Sequence, residues 1–195
     1  MSIRIENLSF SRGEKHILDN VNLNLPDSGA VCLCGPSGCG KSTLLRLLCG
    51  LETPDSGRIS GSSAFSVVFQ ENALLPWRTV AENVALPLKV LDHDRVLRAL
   101  EAVELTEAAH LYPAQLSGGM ARRVAIARAL AYDGDVLLLD EPFNGLDTAL
   151  WSRLCSRIRE QFSDRLILLI THRLEEAEAM GATVIPWSSL SRTVL

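Results

Sequence analysis

No stretch of this 195-residue sequence stays apolar for the roughly 18 residues that a membrane-spanning helix requires. The longest apolar runs, Val136–Leu139 and Leu166–Ile170, have the length of single strands. The opening residues, MSIRIENLSF, lack the basic-then-apolar layout of a secretion signal, so the chain is expected to stay in the cytoplasm. Basic charge is not in excess: 19 Lys and Arg face 23 Asp and Glu, a net charge of −4. That balance argues against nucleic acid as a partner, because broad nucleic-acid binding draws on a basic face. The five cysteines form no C-x-x-C pair and no metal-type spacing. All five are expected as reduced thiols, four of them filling core, with Cys32 and Cys34 on opposite faces of a strand. There is no internal repeat, no low-complexity segment and no linker.

What is present is apolar residue in quantity. Hydrophobic residues make up 47% of the chain, and the mean hydropathy is +0.16. Two sources would explain this, parallel strands buried on both faces or surface reserved for a partner. Strand patterns cover Ile3–Phe10, His16–Leu25 and Ala30–Cys34, the second alternating Val21, Leu23 and Leu25 with Asn22 and Asn24. Lys41–Cys49 reads as a buried helix and Val67–Phe69 as a short strand. From Thr79 to about Ala109 the pattern is helical, with Val96, Leu97, Leu100 and Val103 on one face and Asp92, Asp94, Arg98 and Glu101 facing outward. Gly118–Leu130 is a further helix. The strand Val136–Asp140, a helix near Ala149–Phe162, the strand Leu166–Ile170, the helix Leu174–Met180 and a strand near Thr183–Ile185 complete the chain. Strands that alternate with helices imply crossover connections and a mainly parallel sheet. The expected fold class is therefore α/β, one domain over 1–195. It has an antiparallel N-terminal β-subdomain and a helical subdomain inserted at about 78–131.

Gly35-Pro36-Ser37-Gly38-Cys39-Gly40-Lys41-Ser42, followed by Thr43, matches G-x-x-x-x-G-K-[ST] between an apolar strand and a helix. Glycines let the backbone wrap closely, so that successive N–H groups point at phosphate oxygens. The helix behind the loop offers its positive end to the same anion. Lys41 is placed to bridge β- and γ-phosphates, and the Ser42 hydroxyl to ligate Mg²⁺. A P-loop NTPase core is therefore the expected fold.

Further along, the apolar strand Val136–Leu139 ends in Asp140-Glu141. Ligands of open α/β sheets bind beyond the carboxyl ends of the strands. Asp140 can therefore hold Mg²⁺, directly or through water, and Glu141 can polarise an attacking water as general base. Ile170-Thr171-His172 follows another apolar strand, and a lone histidine there decides nothing by itself.

Leu116-Ser117-Gly118-Gly119-Met120, with Ala121–Leu130 after it, resembles the signature sequence of ATP-binding cassette (ABC) proteins. Physically, Ser117 with two glycines at a helix start is either a helix cap or a second anion site made of free N–H groups. The other family elements occur in order and cover nearly the whole chain. Gln70 sits where the family has a glutamine loop touching Mg²⁺ and the transport partner. Asn144-Gly145-Leu146-Asp147 resembles the loop that passes between subunits, and His172 the histidine that contacts the γ-phosphate. The resemblance implies an ATPase with ATP and Mg²⁺ as cofactors. It also implies a homodimer or pseudo-dimer with a second ABC ATPase, in which Ser117–Gly119 of one subunit closes over the ATP of the other.

The segment Gln70–Val84, with Leu75-Pro76-Trp77, is similar to the importers of nitrate, sulfonates and taurine. That implies a peripheral subunit on the inner face of the cell membrane, docked through Gln70–Trp77 on an integral membrane permease and served indirectly by a substrate-binding protein. An exporter or lipid-extraction system is the alternative. A soluble ABC ATPase of DNA repair or translation would be expected to carry a long coiled-coil insertion or two cassettes. Some positions depart from the family. Arg12 stands where an aromatic usually stacks on adenine, and either it or Phe10 is expected to take that contact, with weaker base selectivity. Arg173 replaces a common aspartate. The segments between Gly50 and Gln70 and after His172 are short, so no regulatory domain is expected beyond the cassette.

Overall fold

Alternating polar and apolar residues between Arg4 and Leu25 suit an antiparallel sheet with one wetted face. The computed structural model describes residues 2–61 and 64–190. In it β1 (Arg4–Arg12) pairs with β2 (Lys15–Asn24) through Ile5↔Leu23 and Phe10↔Leu18. Val21 and Leu23 are buried while Asn22 and Asn24 are exposed, as the alternation requires. A strand that the pattern did not announce, β4 (Ser56–Ser60), pairs with the other side of β1. Only Ile59 of its Ser-Gly-Arg-Ile-Ser is even half-buried, so backbone pairing rather than an apolar face holds it in place.

The remaining strands form a five-stranded parallel sheet. These are β3 (Gly29–Cys34), β5 (Phe65–Val68), β6 (Val136–Asp140), β7 (Leu166–Ile170) and β8 (Thr183–Pro186), in the order β5-β6-β7-β3-β8. Every residue of β6 and β7 is buried, because a parallel sheet is covered on both faces. Val136 and Leu138 of β6 pack with β1, β2 and the leucines of α1 (Lys41–Leu48). Leu137 and Leu139 pack with the helices of the other face, including α5 (Thr148–Gln161) and α6 (Leu174–Ala179). Burying such continuous apolar strands accounts for much of the high hydropathy.

Between β5 and β6 the chain makes α2 (Val80–Ala85), α3 (His93–Ala102) and α4 (Gly118–Tyr132), which pack on one another and on the sheet. The helix expected from Thr79 to Ala109 is thus two helices and a single 3-10 turn at Thr106–Ala108. Pro87 stops the first, since it lacks an N–H to donate. Asp92 starts the second by accepting a 2.9 Å bond from the Arg95 N–H. Leu97, expected on the buried face, is exposed, being one 100° step round from the buried Val96. Two expectations for cysteine also change. Only Cys32 and Cys155 are fully buried, where loss of water pushes both thiols up to about 12. Cys32 and Cys34 face the same side of β3, because a two-residue step along a strand returns to the same face.

Since the five strands are parallel, their carboxyl ends share one edge of the sheet. Register sets Leu33 of β3 beside Ile170, Asp140 beside the same Ile170, and Val68 beside Leu139. Gly35, Gln70, Glu141 and His172 therefore all emerge at that edge, within two residues of their strand ends.

Candidate functional site

The loop after β3 turns on Gly38 and Gly40, at φ of 78° and 109°, values that residues with a Cβ rarely adopt. It is also tightly enclosed. A Cβ on Gly35 would come 2.7 Å from that of Trp187, and one on Gly40 would meet Leu18 at 2.9 Å and the Trp187 ring at 3.2 Å. Gly40 begins α1 without a side-chain cap, and its carbonyl takes the Leu44 N–H at 2.9 Å. The N–H groups of Lys41, Ser42 and Thr43 precede that first helical bond and so have no acceptor within the helix. Pro36, Ser37 and Gly38 are exposed, and Cys39 half-buried. Lys41 is buried, and its ammonium donates to the carbonyls of Gly35 and Pro36, each at 2.8 Å, and lies 3.5 Å from Cys39 Sγ.

Asp140, only 3% exposed, lies close enough to the Ser42 hydroxyl to feel it, and its Oδ1 has no partner among the described residues. Burial pushes its carboxyl above the usual range, the nearby Ser42 hydroxyl opposing. A buried carboxylate oxygen with a free lone pair beside a hydroxyl is an all-oxygen donor set of the kind hard divalent cations take. A cation there would satisfy the orphaned oxygen and offset the burial that disfavours its charge. These residues fit Mg²⁺.

Glu141 holds a left-handed backbone, φ 48°, pinned by its N–H donating to Ile170 O at 2.8 Å. Its Oε1 lies 2.9 Å from His172 Nδ1, so the structure brings together two residues the sequence reading treated separately. His172 is 55% exposed at its ring while the Glu141 side chain is mostly buried. Behind them Thr171 Oγ1 donates to the buried Glu176 at 2.7 Å, and Arg173 pairs with the same carboxylate at 3.0 Å. Burial raises the Glu176 carboxyl, while the Thr171 bond and the Arg173 charge lower it. Arg173 thus has a partner of its own in place of the aspartate's role.

Gln70 joins the edge through its backbone. Its carbonyl shares one guanidinium, that of Arg122, with the carbonyls of Asp140 and Glu141. Ser117 and Asp147 stand apart, their bonds being local. Ser117 caps α4 by accepting the Met120 N–H at 3.2 Å, and Asp147 caps α5 by accepting the Leu150 N–H at 2.9 Å. Ser117 and Gly118 are exposed, and the nearest neighbours of Gly119 are Leu146 and Gly145. Phe10 is buried in the core and offers no face to a base, whereas Arg12 is exposed, its guanidinium 2.8 Å from Glu52.

Residues 18–144 match the family model described as ABC transporter. The chain belongs to the ABC transporter family, as an ATP-binding subunit with ATPase activity. It is 44% identical to a probable sulfate/thiosulfate import ATP-binding protein CysA of Chlorella vulgaris, over 95% of this chain and 86% of that protein. It is 40% identical to the aliphatic sulfonates import ATP-binding protein SsuB of Burkholderia ambifaria, over 94% of this chain and 60% of the relative. The dimeric ATP-binding cassette solved in a post-hydrolysis state with ADP and Pi superposes with a TM-score of 0.87 at 29% identity, covering 97% of this chain and 94% of that one. A bacterial Atm1-family exporter with ATP bound matches at TM-score 0.85 and 27% identity, over 90% of this chain and 35% of the exporter chain. The fold is thus found in an exporter chain, while the sequence relatives carry importer names. Among the described residues no helix is long and apolar enough to cross a membrane.

Proposed function

We propose that this chain pairs head to tail with a second copy, or with another ABC ATPase, over two ATP molecules, and powers solute import through a separate membrane permease. The observation that carries the hydrolytic half is the convergence of Lys41, the Ser42–Asp140 pair and the Glu141–His172 pair on one sheet edge. Lys41 exchanges the Gly35 and Pro36 carbonyls for β- and γ-phosphate oxygens, and the N–H groups of 35–43 surround the rest. Ser42, Asp140 and the Gln70 side chain would hold Mg²⁺, which when bound neutralises charge on the phosphates. The Glu141 carboxylate orients a water toward the γ-phosphorus and takes its proton. His172, at hydrogen-bond distance from Glu141, steers that carboxylate and turns to the γ-phosphate as the site closes. Ser117, Gly118 and Gly119 of the partner complete the site with the free N–H groups of a helix start. Asp147 sits in the adjoining loop. Arg12 is the side chain available to lie against the adenine. We assign residues 78–131 to a helical subdomain, and the whole subunit to the cytoplasmic face of a membrane.

The importer half draws on the relatives, whose names place them in sulfate and sulfonate import, and on a surface. Trp77 is 69% exposed. Asn83, fully buried, donates to the carbonyls of Leu75, Arg78 and Thr79 and fixes the turn that presents it. Beside it an apolar groove of about 310 Å³ runs between Ala81, Ala85, Leu86 and Leu91. Exposed apolar surface of this kind suits a short helix of the permease. A sulfate-like or sulfonate-like oxyanion is the proposed solute class, delivered to the permease by a substrate-binding protein. Trp77→Glu is expected to abolish co-purification of the membrane subunit. Undiminished co-purification would remove this surface from the interface, and recovery of an exporter-type membrane protein would move the chain to the export alternative.

A further inference from the structure

Arg122 lies in the second turn of α4, five residues after Ser117, and is 4% exposed. Among the described residues its guanidinium forms no ion pair with a carboxylate. Nε donates to Pro142 O at 2.9 Å, and Nη2 to Asp140 O and Glu141 O, each at 2.6 Å. Nη1 donates to Phe69 O, to Gln70 O at 3.2 Å and to Asn72 Oδ1 at 3.3 Å. Five of these six acceptors are backbone carbonyls, those of Asp140 at the end of β6 and of Phe69, Gln70, Glu141 and Pro142 just past the ends of β5 and β6. Buried carbonyls need donors, and a planar fork with five N–H groups is the side chain that supplies donors in two directions at once. Burial lowers the guanidinium's pKa, against the pull of Asp140 and Glu141, yet arginine keeps its charge in proteins. A cation bound by neutral carbonyls fixes where chain ends lie, and these ends carry Gln70 and Glu141.

Glu141 makes the point sharply. Its left-handed backbone is held by its N–H on Ile170 and by its carbonyl, which takes Arg122 and the Asn144 N–H at 3.3 Å. With both sides of the residue fixed, the place from which its side chain sets out is fixed, and the His172 ring meets the carboxylate at 2.9 Å. Further along the same helix, Arg128 donates to Asn72 O and Ala73 O, each at 2.8 Å. One helix therefore grips the segment 69–73 twice, while its own N-terminus carries Ser117–Gly119.

We propose that Arg122 is a positioning residue for hydrolysis, which ties Gln70 and Glu141 to the helix that starts at Ser117, so that movement of this helix redirects the hydrolytic carboxylate. The proposal rests on the role of Glu141 given above. Arg122 bonds to no residue of the 35–43 loop, so its loss separates hydrolysis from nucleotide binding. Arg122→Lys keeps a buried charge but cannot span both strand ends. The variant is expected to bind ATP within about threefold of the parent while kcat falls about 10- to 100-fold, the scale that small misplacements of reacting groups cost. Equal kcat would overturn the proposal, as would a fall in rate that merely tracks lost ATP affinity. A second readout excludes a purely structural effect. Added to Glu141→Gln, Arg122→Lys is expected to slow single-turnover hydrolysis far less than it slows the parent, because most of its effect runs through that side chain. A fully multiplicative loss overturns the proposal. A parent rate indifferent to Glu141→Gln would instead remove the underlying role of Glu141, and is told apart by that single variant.

Discussion

Glu141→Gln is expected to keep ATP bound while cutting hydrolysis by about 10²- to 10⁴-fold, the usual contribution of a positioned general base. The substitution preserves shape. Glutamine can hold the same left-handed backbone, keep its N–H on Ile170 and offer an amide oxygen to His172 where the carboxylate now lies 2.9 Å from Nδ1. What it loses is the capacity to take a proton from water. The proposed nucleotide contacts belong to Lys41, Ser42 and the loop N–H groups, none of which are altered. ATP should therefore accumulate unhydrolysed, and dimers with it. Steady-state ATPase assays and the molar mass in ATP by light scattering check both halves, and retained turnover would take Glu141 out of the mechanism.

Trp187→Ala carries the largest expected effect on stability. The side chain is 4% exposed and fills the space under the phosphate loop, where even a methyl group on Gly35 or Gly40 would touch it. Truncating a buried tryptophan costs about 3–5 kcal/mol through lost burial and the cavity left behind. In a chain of this size each kcal/mol lowers Tm by about 2–4 °C, so a fall of roughly 6–20 °C is expected. The loop above the cavity loses its support, so ATP affinity should fall as well, and Trp187→Phe should recover most of both. Melting curves with and without ATP give the answer. An unshifted Tm would show that the tryptophan merely covers the loop.

Neither residue was equally visible in the sequence. Glu141 could be read because an apolar strand ending in two acids has a geometric consequence in a parallel sheet. The phosphate loop was legible from its glycine spacing between strand and helix, whereas Gln70 and His172 entered only through resemblance to the family's motifs; in the structure each follows a strand whose end lies on the common edge. Trp187 sits after a short, exposed strand with no periodic pattern to mark it as core. Arg122 was hidden by the helix it occupies. Val124 to Ala127 and Ala129 to Ala131 are all buried, so α4 lacks a polar stripe against which an inward-facing arginine would stand out. Next to it Arg123 is partly exposed, and only the helix phase separates the two. β4 was missed because its pairing is made by backbone, which sequence patterns record poorly. Leu97 and the broken helix before Ala109 show the limit of periodicity, since Pro87 and the cap at Asp92 outweigh a helical pattern that runs through them.

In the proposed dimer each ATP is gripped by the 35–43 loop of one subunit and the Ser117–Gly119 helix start of the other. Two inactive variants test it directly when mixed. Lys41→Ala disables the loop and leaves the helix start intact. Gly118→Asp does the reverse, since a side chain at that exposed position meets nothing within 4 Å in its own chain, while its carboxylate would repel a phosphate. In a mixed dimer with two-fold symmetry broken, one site receives both damaged parts and the other receives neither. Mixing the variants should therefore restore ATPase activity well above the sum of the two alone, approaching about a quarter of the parent rate for random pairing of two such subunits. A mixture no more active than its components would contradict a shared site.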